Sequence, residues 1–436
     1  MVWDMSKLKI SLILAAFAVR IFFVIVYPGS NWYGGISNMY LDVASNALHG
    51  KGFSVLVDAS PLGSNAPEWV YTPFIQRPLA YPIFIASVLF LFGRSNFVIV
   101  QIVQAFLGAL SVLLVYSIAK RFLSLNLALV SSWVAALWPV TARFEVALLP
   151  ESVVSFFLLG GTLFLLRGAE NRRIGNFIVS GIFYGFSILF RPDNIILPLF
   201  LAGALLFQLG FKGGLKTGII FLIVVGALLI PQTIRNYSVT GGHILPLGIG
   251  SGISLWEGIS QFGERYGTVY SDVKTAEVEG YRYWDYPNGI ERDRKRFNEA
   301  LKIIKEHPFW YVGVMVRRIP VLFTITTGMF GLGPGYAVNS SRALVEYFRN
   351  YPLACSLNMV IIFVQYFLLV TAALGMWMSR SRWKATLPPV ITFLYYIFVH
   401  IPTNAEVRYF LPATPFLTPF AVEVAYRILR GRESQT

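Results

Sequence analysis

Long apolar runs recur along this chain, at residues 10–27, 97–119, 123–140, 152–166, 174–190, 195–209, 217–234, 354–378, 385–400 and 410–426. Most are long enough, as helices, to cross the roughly 30 Å hydrocarbon layer of a bilayer. Backbone groups in lipid must pair within their own segment, so each run is predicted to be helical. An outer-membrane barrel would instead show alternating segments of about ten residues, a pattern absent here. Two further runs are less regular: 78–92, and 309–332, which Arg317 and Arg318 interrupt.

Lysines and arginines decide whether those two runs cross. If neither does, Lys7 and Lys9, Lys120 and Arg121, Arg167 with Arg172 and Arg173, Lys212 and Lys216, Arg380 with Arg382 and Lys384, and Arg427 with Arg430 and Arg432 all fall on one side. The positive-inside rule makes that side cytoplasmic. The prediction is an all-α polytopic membrane protein of about ten spans. Both termini are inside, and two helices are re-entrant or lie on the surface. It reads as one membrane domain, 1–436, elaborated by a first external loop region (28–96) and a larger one (235–353). The larger region contains a charged amphipathic stretch from Glu291 to Glu306.

Composition agrees with this reading. Hydrophobic residues make up 56% of the chain and charged residues 13%, against about a quarter charged in soluble domains. The net charge of +14 is assigned to topology-setting loops, and nucleic acid is not expected as a partner. Cys355 is the single cysteine, which excludes an internal disulfide and a multi-cysteine metal site. The first apolar run reads as a retained span, with no cleavable signal pattern. None of the four histidines has helical metal-ligand spacing with another, so no metal is expected. Phosphate-binding glycine loops and serine-hydrolase elbows are absent.

The unusual polar residues lie near span ends on the predicted external side. In the first loop, Tyr40, Ala44 and Leu48 repeat at helical spacing while Asp42, Ser45, Asn46 and His49 fall opposite. This predicts a short amphipathic surface helix, ended by Gly50 and Gly52. Asp42 is a candidate general base, or a solvated carboxylate; Asp58 and Glu68 are reserves. Arg77 stands at the mouth of the 78–92 run, where its planar fork suits a phosphate or a lipid headgroup. Glu151 follows Pro150 and heads a span, so it either compensates a helix dipole or serves a site. Arg191 and Asp193 flank Pro192 at another junction. Arg235 and Asn236 end a span, and His400, Glu406, Arg408 and Tyr409 lie between the last two. Charges this close to hydrocarbon are expected to pair or to face a polar cavity.

In order and spacing, several short motifs resemble the lipid-dependent GT-C glycosyltransferases. The nearest likeness is to protein O-mannosyltransferases and lipid A aminoarabinose transferases (glycosyltransferase family 39). The motifs are Tyr40-x-x-x-Ala44 with Leu48, Gly50, Gly52 and Phe53; Arg77-Pro78-x-x-Tyr81-Pro82; Trp138-Pro139 leading to Glu151; Leu189-x-Arg191-Pro192-Asp193; Ile234-Arg235-Asn236-Tyr237; Leu255-Trp256-x-Gly258; and Arg408-Tyr409-x-x-Pro412. The resemblance implies a GT-C transmembrane helix bundle with external loop helices. It implies a sugar donor on polyprenyl phosphate, an acceptor hydroxyl (on protein, lipid or glycan), an inverting displacement, and no cofactor or metal. Asp42, the carboxylate nearest the family's catalytic position, and Glu151 are the candidate catalytic carboxylates. Tyr40, Arg77, Tyr81, Arg191, Asp193, Arg235, Asn236, Arg408 and Tyr409 would bind substrate or lipid phosphate. The location expected is a bacterial or archaeal cell membrane with an extracytoplasmic site.

One position departs from the family. The catalytic aspartate usually stands one helical turn before the tyrosine matched by Tyr40, and here that residue is Ile36. An inactive GT-C-like scaffold is therefore an alternative. A lipid-linked-glycan transporter or flippase is another, although the inverted repeats expected of one are not seen.

Overall fold

The computed structural model describes residues 5–29, 34–93, 96–323 and 341–433. Helices dominate it. The bundle begins with α1 (Met5–Val26) and, after the first loop region, continues through α4 (Val98–Ala119), α5 (Leu125–Leu137), α6 (Pro139–Glu145), α7 (Glu151–Asn171), α8 (Ile174–Phe190), α9 (Leu197–Leu209) and α10 (Phe211–Val239). The first loop region carries α2 (Gly34–Leu48), strands β1 (Ser54–Asp58) and β2 (Trp69–Pro73), and α3 (Ala80–Phe92). The larger region carries α11 (Ser251–Ser260), α12 (Asp272–Val278), α13 (Gly289–Glu306), α14 (Pro308–Phe323) and α15 (Ser341–Asn350). The chain then returns to the bundle as α16 (Pro352–Met378), α17 (Trp383–His400), α18 (Val407–Phe410) and α19 (Thr418–Glu433).

Among the described residues six helical stretches are long and apolar enough to cross a membrane, or seven if the bent α5–α6 pair is one span. That is fewer than the ten runs in the sequence, for identifiable reasons. Pro139 holds Trp138 in an extended conformation, and the pair bends by 59°, as the residue before a proline is pushed out of the helical region. α8 has only 17 residues. The stretch Pro352–His400 counts once, yet its 49 residues would extend about 74 Å as one helix. It is α16 and α17 joined through the short 3-10 turn Ser379–Arg382, long enough for two crossings. Prolines 412 and 415 turn the start of the last run into a 3-10 helix, Leu411–Phe416, before α19. Of the two irregular runs, 78–92 is α3, and 309–332 is α14 as far as Phe323; its remainder lies outside the described residues. α10 continues to Val239, so the helix carries Arg235 and Asn236 rather than ending at them.

Small residues set the close packing. A Cβ at Gly160, Gly161 or Gly168 of α7 would lie 2.3, 2.7 or 2.8 Å from the rings of Phe183, Tyr184 and Phe177 of α8. Large apolar side chains such as Ile223, Phe363 and Phe367 face outward, more than half exposed, as suits a surface solvated by lipid. Within the bundle, Arg20 of α1 is fully buried. It donates through Nε to Glu145 at 2.6 Å and through Nη1 to the carbonyls of Ala16 and Ala136. Gly108 of α4 makes room for this pair: a Cβ there would sit 2.5 Å from the Arg20 Nε.

The basic groups singled out above gather at one end. Arg121 pairs with Glu170. Arg382 and Arg427 both pair with Glu423, and Arg382 also donates to the Phe122 carbonyl. Arg172 reaches the Leu209 carbonyl at 3.3 Å. The two loop regions cover the other end.

Candidate active site

β1 and β2 form an antiparallel hairpin in which Ser54 pairs with Pro73 and Asp58 with Trp69. Arg235 at the end of α10 clasps its base, donating to the carbonyls of Phe53 (3.1 Å) and Phe74 (2.5 Å). The next residues are held as firmly. Gln76 donates to the Asp285 carboxylate, the Ile249 amide donates to Ile75 at 3.0 Å, and the Leu79 amide donates to Gln232 at 3.2 Å. Arg77 is thereby fixed between the hairpin and α3. Its own bonds are long, 3.4 Å to the Gln76 carbonyl and 3.5 Å to that of Ile249. Among the described residues no carboxylate lies within 4 Å of it.

Two other arginines are embedded in carboxylates. Arg191 is extended before Pro192 and turns back onto Asp193 through two bonds of 3.0 and 2.5 Å. Its Nη1 also lies 3.2 Å from Glu151, off the hydrogen-bonding line. His400 meets Asp193 at 3.0 Å from the side of α17. Arg408 is held by Glu406 at 2.8 and 3.1 Å and lies 4.0 Å from Glu151. Tyr409 donates to Glu406 at 3.0 Å, and its ring stacks on His400 and receives both guanidinium groups, 4.9 and 5.0 Å from its centroid. Glu151, Arg191 and Arg408 are each at least 93% buried. Groups so buried keep their charge only by mutual pairing.

α2 and α3 supply the neighbouring wall. Tyr40 and Tyr81 meet edge to face at 5.1 Å and are nearly inaccessible. Burial pushes the Tyr40 hydroxyl up to about 12; Arg77, Arg408 and Arg191 pull it down and Glu151 raises it. These opposing charges locate Arg77 in the same electrostatic neighbourhood as the other two arginines. The Tyr81 hydroxyl and Glu151 Oε2 are buried and find no hydrogen-bond partner among the described residues. Buried polar atoms of this kind mark places where a further polar group is accommodated.

The structure thus brings together Tyr40, Arg77, Tyr81, Glu151, Arg191, Asp193, Arg408 and Tyr409 of the expected set. It does not bring three others. Asp42 is exposed, on the side of α2 away from the buried Tyr40, Val43 and Ala44. Residues two apart on a helix point about 200° apart, so Asp42 cannot share the Tyr40 face. Arg235 spends its fork on backbone carbonyls and the Asn236 side chain. Asn236 is fully buried, bonding Gln232 and the Leu245 carbonyl. Both brace the hairpin. Of the reserves, Asp58 accepts from the Ser60 and Glu68 amides and pairs with Arg282, while Glu68 is exposed. Ile36, in the first turn of α2, packs half-buried on the core.

The sequence reading missed Glu257, Tyr270, Asp272 and Asp285 in the larger loop region. Asp293 of α13 accepts from the amides of Gly250, Gly252 and Ile253, at 2.9 to 3.1 Å, and so fixes the start of α11. Arg318 of α14 ties the other end, donating to the carbonyls of Gly258 and Ile401. Burial and the neighbouring carboxylates of Asp272 and Glu406 push Glu257 up to about 9, opposed by Arg77. Burial raises Asp285 as well. Of these, Glu257 is the open position of the Leu255-Trp256-x-Gly258 motif; what all four face is set by the docking of the loop region.

Residues 76–234 match the family described as dolichyl-phosphate-mannose-protein mannosyltransferase. The match takes in Arg77, Tyr81, Glu151, Arg191 and Asp193 and stops short of Arg408. No curated protein matches the chain by sequence. Among solved structures, the apo oligosaccharyltransferase of Archaeoglobus fulgidus is similar at TM-score 0.53 and 12% identity, over 100% of this chain and 52% of that one. The archaeal oligosaccharyltransferase AglB from the same organism, in complex with an inhibitory peptide and a dolichol-phosphate, gives 0.54 and 12% with the same coverage. ArnT from Cupriavidus metallidurans bound to undecaprenyl phosphate overlaps more loosely, at 0.41 and 11% identity, over 96% of this chain and 78% of that one. The chain spans about half the length of the oligosaccharyltransferases it matches. It is a multi-helix membrane protein with the GT-C glycosyltransferase fold, and its residues 76–234 carry the sequence pattern of the mannosyltransferase family.

Proposed function

We propose that the chain moves a sugar from a polyprenyl-phosphate carrier to an acceptor hydroxyl, by one inverting displacement, on the extracytoplasmic face. The observation that carries this is the set Arg77, Arg191 and Arg408. Arg191 and Arg408, from distant segments, flank buried Glu151, and Arg77 shares with them the electrostatic surroundings of Tyr40 and Tyr409, at the loop-covered end of a membrane bundle. Phosphate suits such a place, because guanidinium forks match its oxygens. The family match over 76–234 supports the reading, as does the dolichol-phosphate held by the archaeal protein of the same fold.

In the reaction the bond from the anomeric carbon to the phosphate oxygen breaks, and its electron pair stays on the phosphate. That leaving group needs positive charge more than a proton. Arg77, without a carboxylate of its own, receives the phosphate. Glu151 holds Arg191 and Arg408 at the edge of the same space, and Tyr40 and Tyr81 wall it. No metal or cofactor is part of the proposal. The test is purified protein in lipid nanodiscs with radiolabelled mannosyl-phosphoundecaprenol. Label is expected to leave the lipid, and undecaprenyl phosphate alone is expected to bind. Absence of both events overturns the reading. The core packing of Ile36 favours a second reading, a scaffold that holds the lipid phosphate without turnover; it predicts binding with no release of label.

Orientation has its own test. With Cys355→Ala as background, Glu68→Cys in the hairpin is expected to react with an impermeant thiol reagent in intact cells. Arg380→Cys, at the basic end, reacts only after permeabilisation. The opposite pattern would place the site end in the cytoplasm.

A further inference from the structure

Arg317 and Arg318 interrupt an apolar run side by side, and the fold uses them differently. Arg318 is fully buried. It donates to the carbonyls of Gly258 and Ile401 and, at 3.1 Å, to the Gln261 side chain. Arg317 is exposed, and its side chain makes no hydrogen bond or ion pair among the described residues. It lines a cavity of about 180 Å³ between α14 and the end of α11. Arg265 lines the same cavity, equally exposed and equally unpaired among the described residues. Its neighbour Glu264 is turned into a different hollow, where it meets Lys274 at 3.8 Å. The cavity wall therefore carries two positive charges and no acidic residue. Phe309, Gly313 and Arg317 follow one another at four-residue spacing and form one row of α14 along it. A Cβ at Gly313 would meet nothing within 4 Å, so the row is open at its middle. The adjoining row of α14 is apolar and faces outward. Val312, Val316 and Ile319 are exposed, and Phe309, at the corner of the two rows, is 91% exposed. At the same end of the helix Tyr266 stacks on His307 at 4.2 Å and meets Trp310 edge to face at 5.0 Å.

We propose that this groove holds an anionic phospholipid of the bilayer, with its phosphate between Arg265 and Arg317 and its acyl chains along Val312, Val316 and Ile319. Three features select a lipid over a soluble anion or a protein partner. Both guanidinium forks match phosphate oxygens and are uncommitted. The apolar row starts where the charged row starts, at Phe309, so one molecule with a charged head and apolar chains covers both. The helix is also fixed at the level where a span ends: the Tyr311 hydroxyl donates to the Pro402 carbonyl and Arg318 to that of Ile401, immediately after α17 stops at His400. Trp and Tyr, here Trp310 and Tyr266, favour that level of a membrane. Basic pockets beside transmembrane helices bind anionic headgroups in this way. The lipid seats α14 on the bilayer surface and, through Arg318, α11 with it. None of the cavity-lining residues touches Glu151, so the site is separate from the arginines around it. The proposal does not depend on sugar transfer.

Trp310 lines the cavity and reports its occupant. The full chain is placed in phosphatidylcholine nanodiscs containing a minor fraction of lipid brominated on its acyl chains, either phosphatidylglycerol or phosphatidylcholine. The fluorescence lost in wild type but not in Trp310→Phe is the quenching of Trp310 itself. Brominated phosphatidylglycerol is expected to bind roughly 25-fold more tightly than brominated phosphatidylcholine, about fivefold from each arginine. Arg317→Gln or Arg265→Gln each loses about fivefold, and the double variant shows no preference. Gly313→Leu fills the groove without changing charge and also removes the preference. All three positions are exposed, so an unchanged melting temperature is expected and verifies the fold of each variant. Binding of undecaprenyl phosphate is unchanged in all of them. Equal quenching by the two lipids in wild type, or a preference that survives in the double variant, overturns the proposal. Trp310 quenched by neither lipid means that protein covers the groove, and overturns it too. Loss of undecaprenyl phosphate binding in Arg317→Gln assigns the groove to the carrier lipid instead and likewise overturns it. None of these results bears on whether the chain transfers sugar, which the release of label decides separately.

Discussion

Arg77→Ala is expected to cut sugar transfer by about 10²–10³-fold, the loss typical when one preorganised donor to a developing charge is removed. Binding of undecaprenyl phosphate weakens with it, while the melting temperature barely moves. The reasoning is one of commitment. Arg191 and Arg408 are held by carboxylates at 2.5 to 3.1 Å. Arg77 has only bonds of 3.4 and 3.5 Å to carbonyls. The fold therefore loses little with its side chain, and a phosphate loses its least occupied partner. Arg77→Lys restores the charge without the fork and should recover a minor part of the affinity. Titration of nanodisc-embedded protein with undecaprenyl phosphate separates the variants. Equal affinity in Arg77→Ala and wild type would remove this residue from the phosphate site.

Arg191→Met has the opposite character. It leaves Glu151 and Asp193 buried with one partner fewer each, and breaking a buried pair from one side typically costs about 3–5 kcal/mol. A large fall in thermal stability is expected, with lost activity as its consequence. Arg408 is still 4.0 Å from Glu151, and His400 still meets Asp193, so the loss stops short of complete unfolding. A melting temperature within a degree of wild type would show that the Arg191 pairs contribute nothing to the stability of the fold.

The sequence disclosed much of this because membrane proteins announce their polar sites by contrast. Arg77, Glu151, Arg191, Asp193 and Arg408 are conspicuous beside apolar runs; the last four meet, and Arg77 stands within electrostatic range of the same tyrosines. α2 was legible from the spacing of Tyr40, Ala44 and Leu48, and α13 from the charged run ending at Glu306. What failed has physical reasons. Arg235 looked like another phosphate ligand, yet its α10 helix runs on to Val239 and aims it at the hairpin base. The hairpin has a sequence signal in the β-branched and aromatic residues of 54–58 and 69–73, separated by Pro61, Gly63 and Pro67, but it is short and sits inside a long loop region. Asp42 is near the expected position in sequence, but helix geometry turns it away from the Tyr40 face. Glu257 is the open position of the Leu255-Trp256-x-Gly258 motif, yet what it faces depends on Asp293 and Arg318 docking α11 from other helices.

The Arg20–Glu145 pair constrains how the protein is made. Arg20 lies within the first span, and its partner is 125 residues further along the chain. An arginine at the centre of an isolated span costs about 2.5–3.5 kcal/mol on insertion scales. Until the segment bearing Glu145 has been synthesised, that cost is uncompensated. The first helix must therefore be retained at the insertion machinery, or sit shallowly with its arginine reaching the interface, until α6 arrives. Final seating of α1 is thus a late event in biogenesis, although its sequence emerges before that of α6.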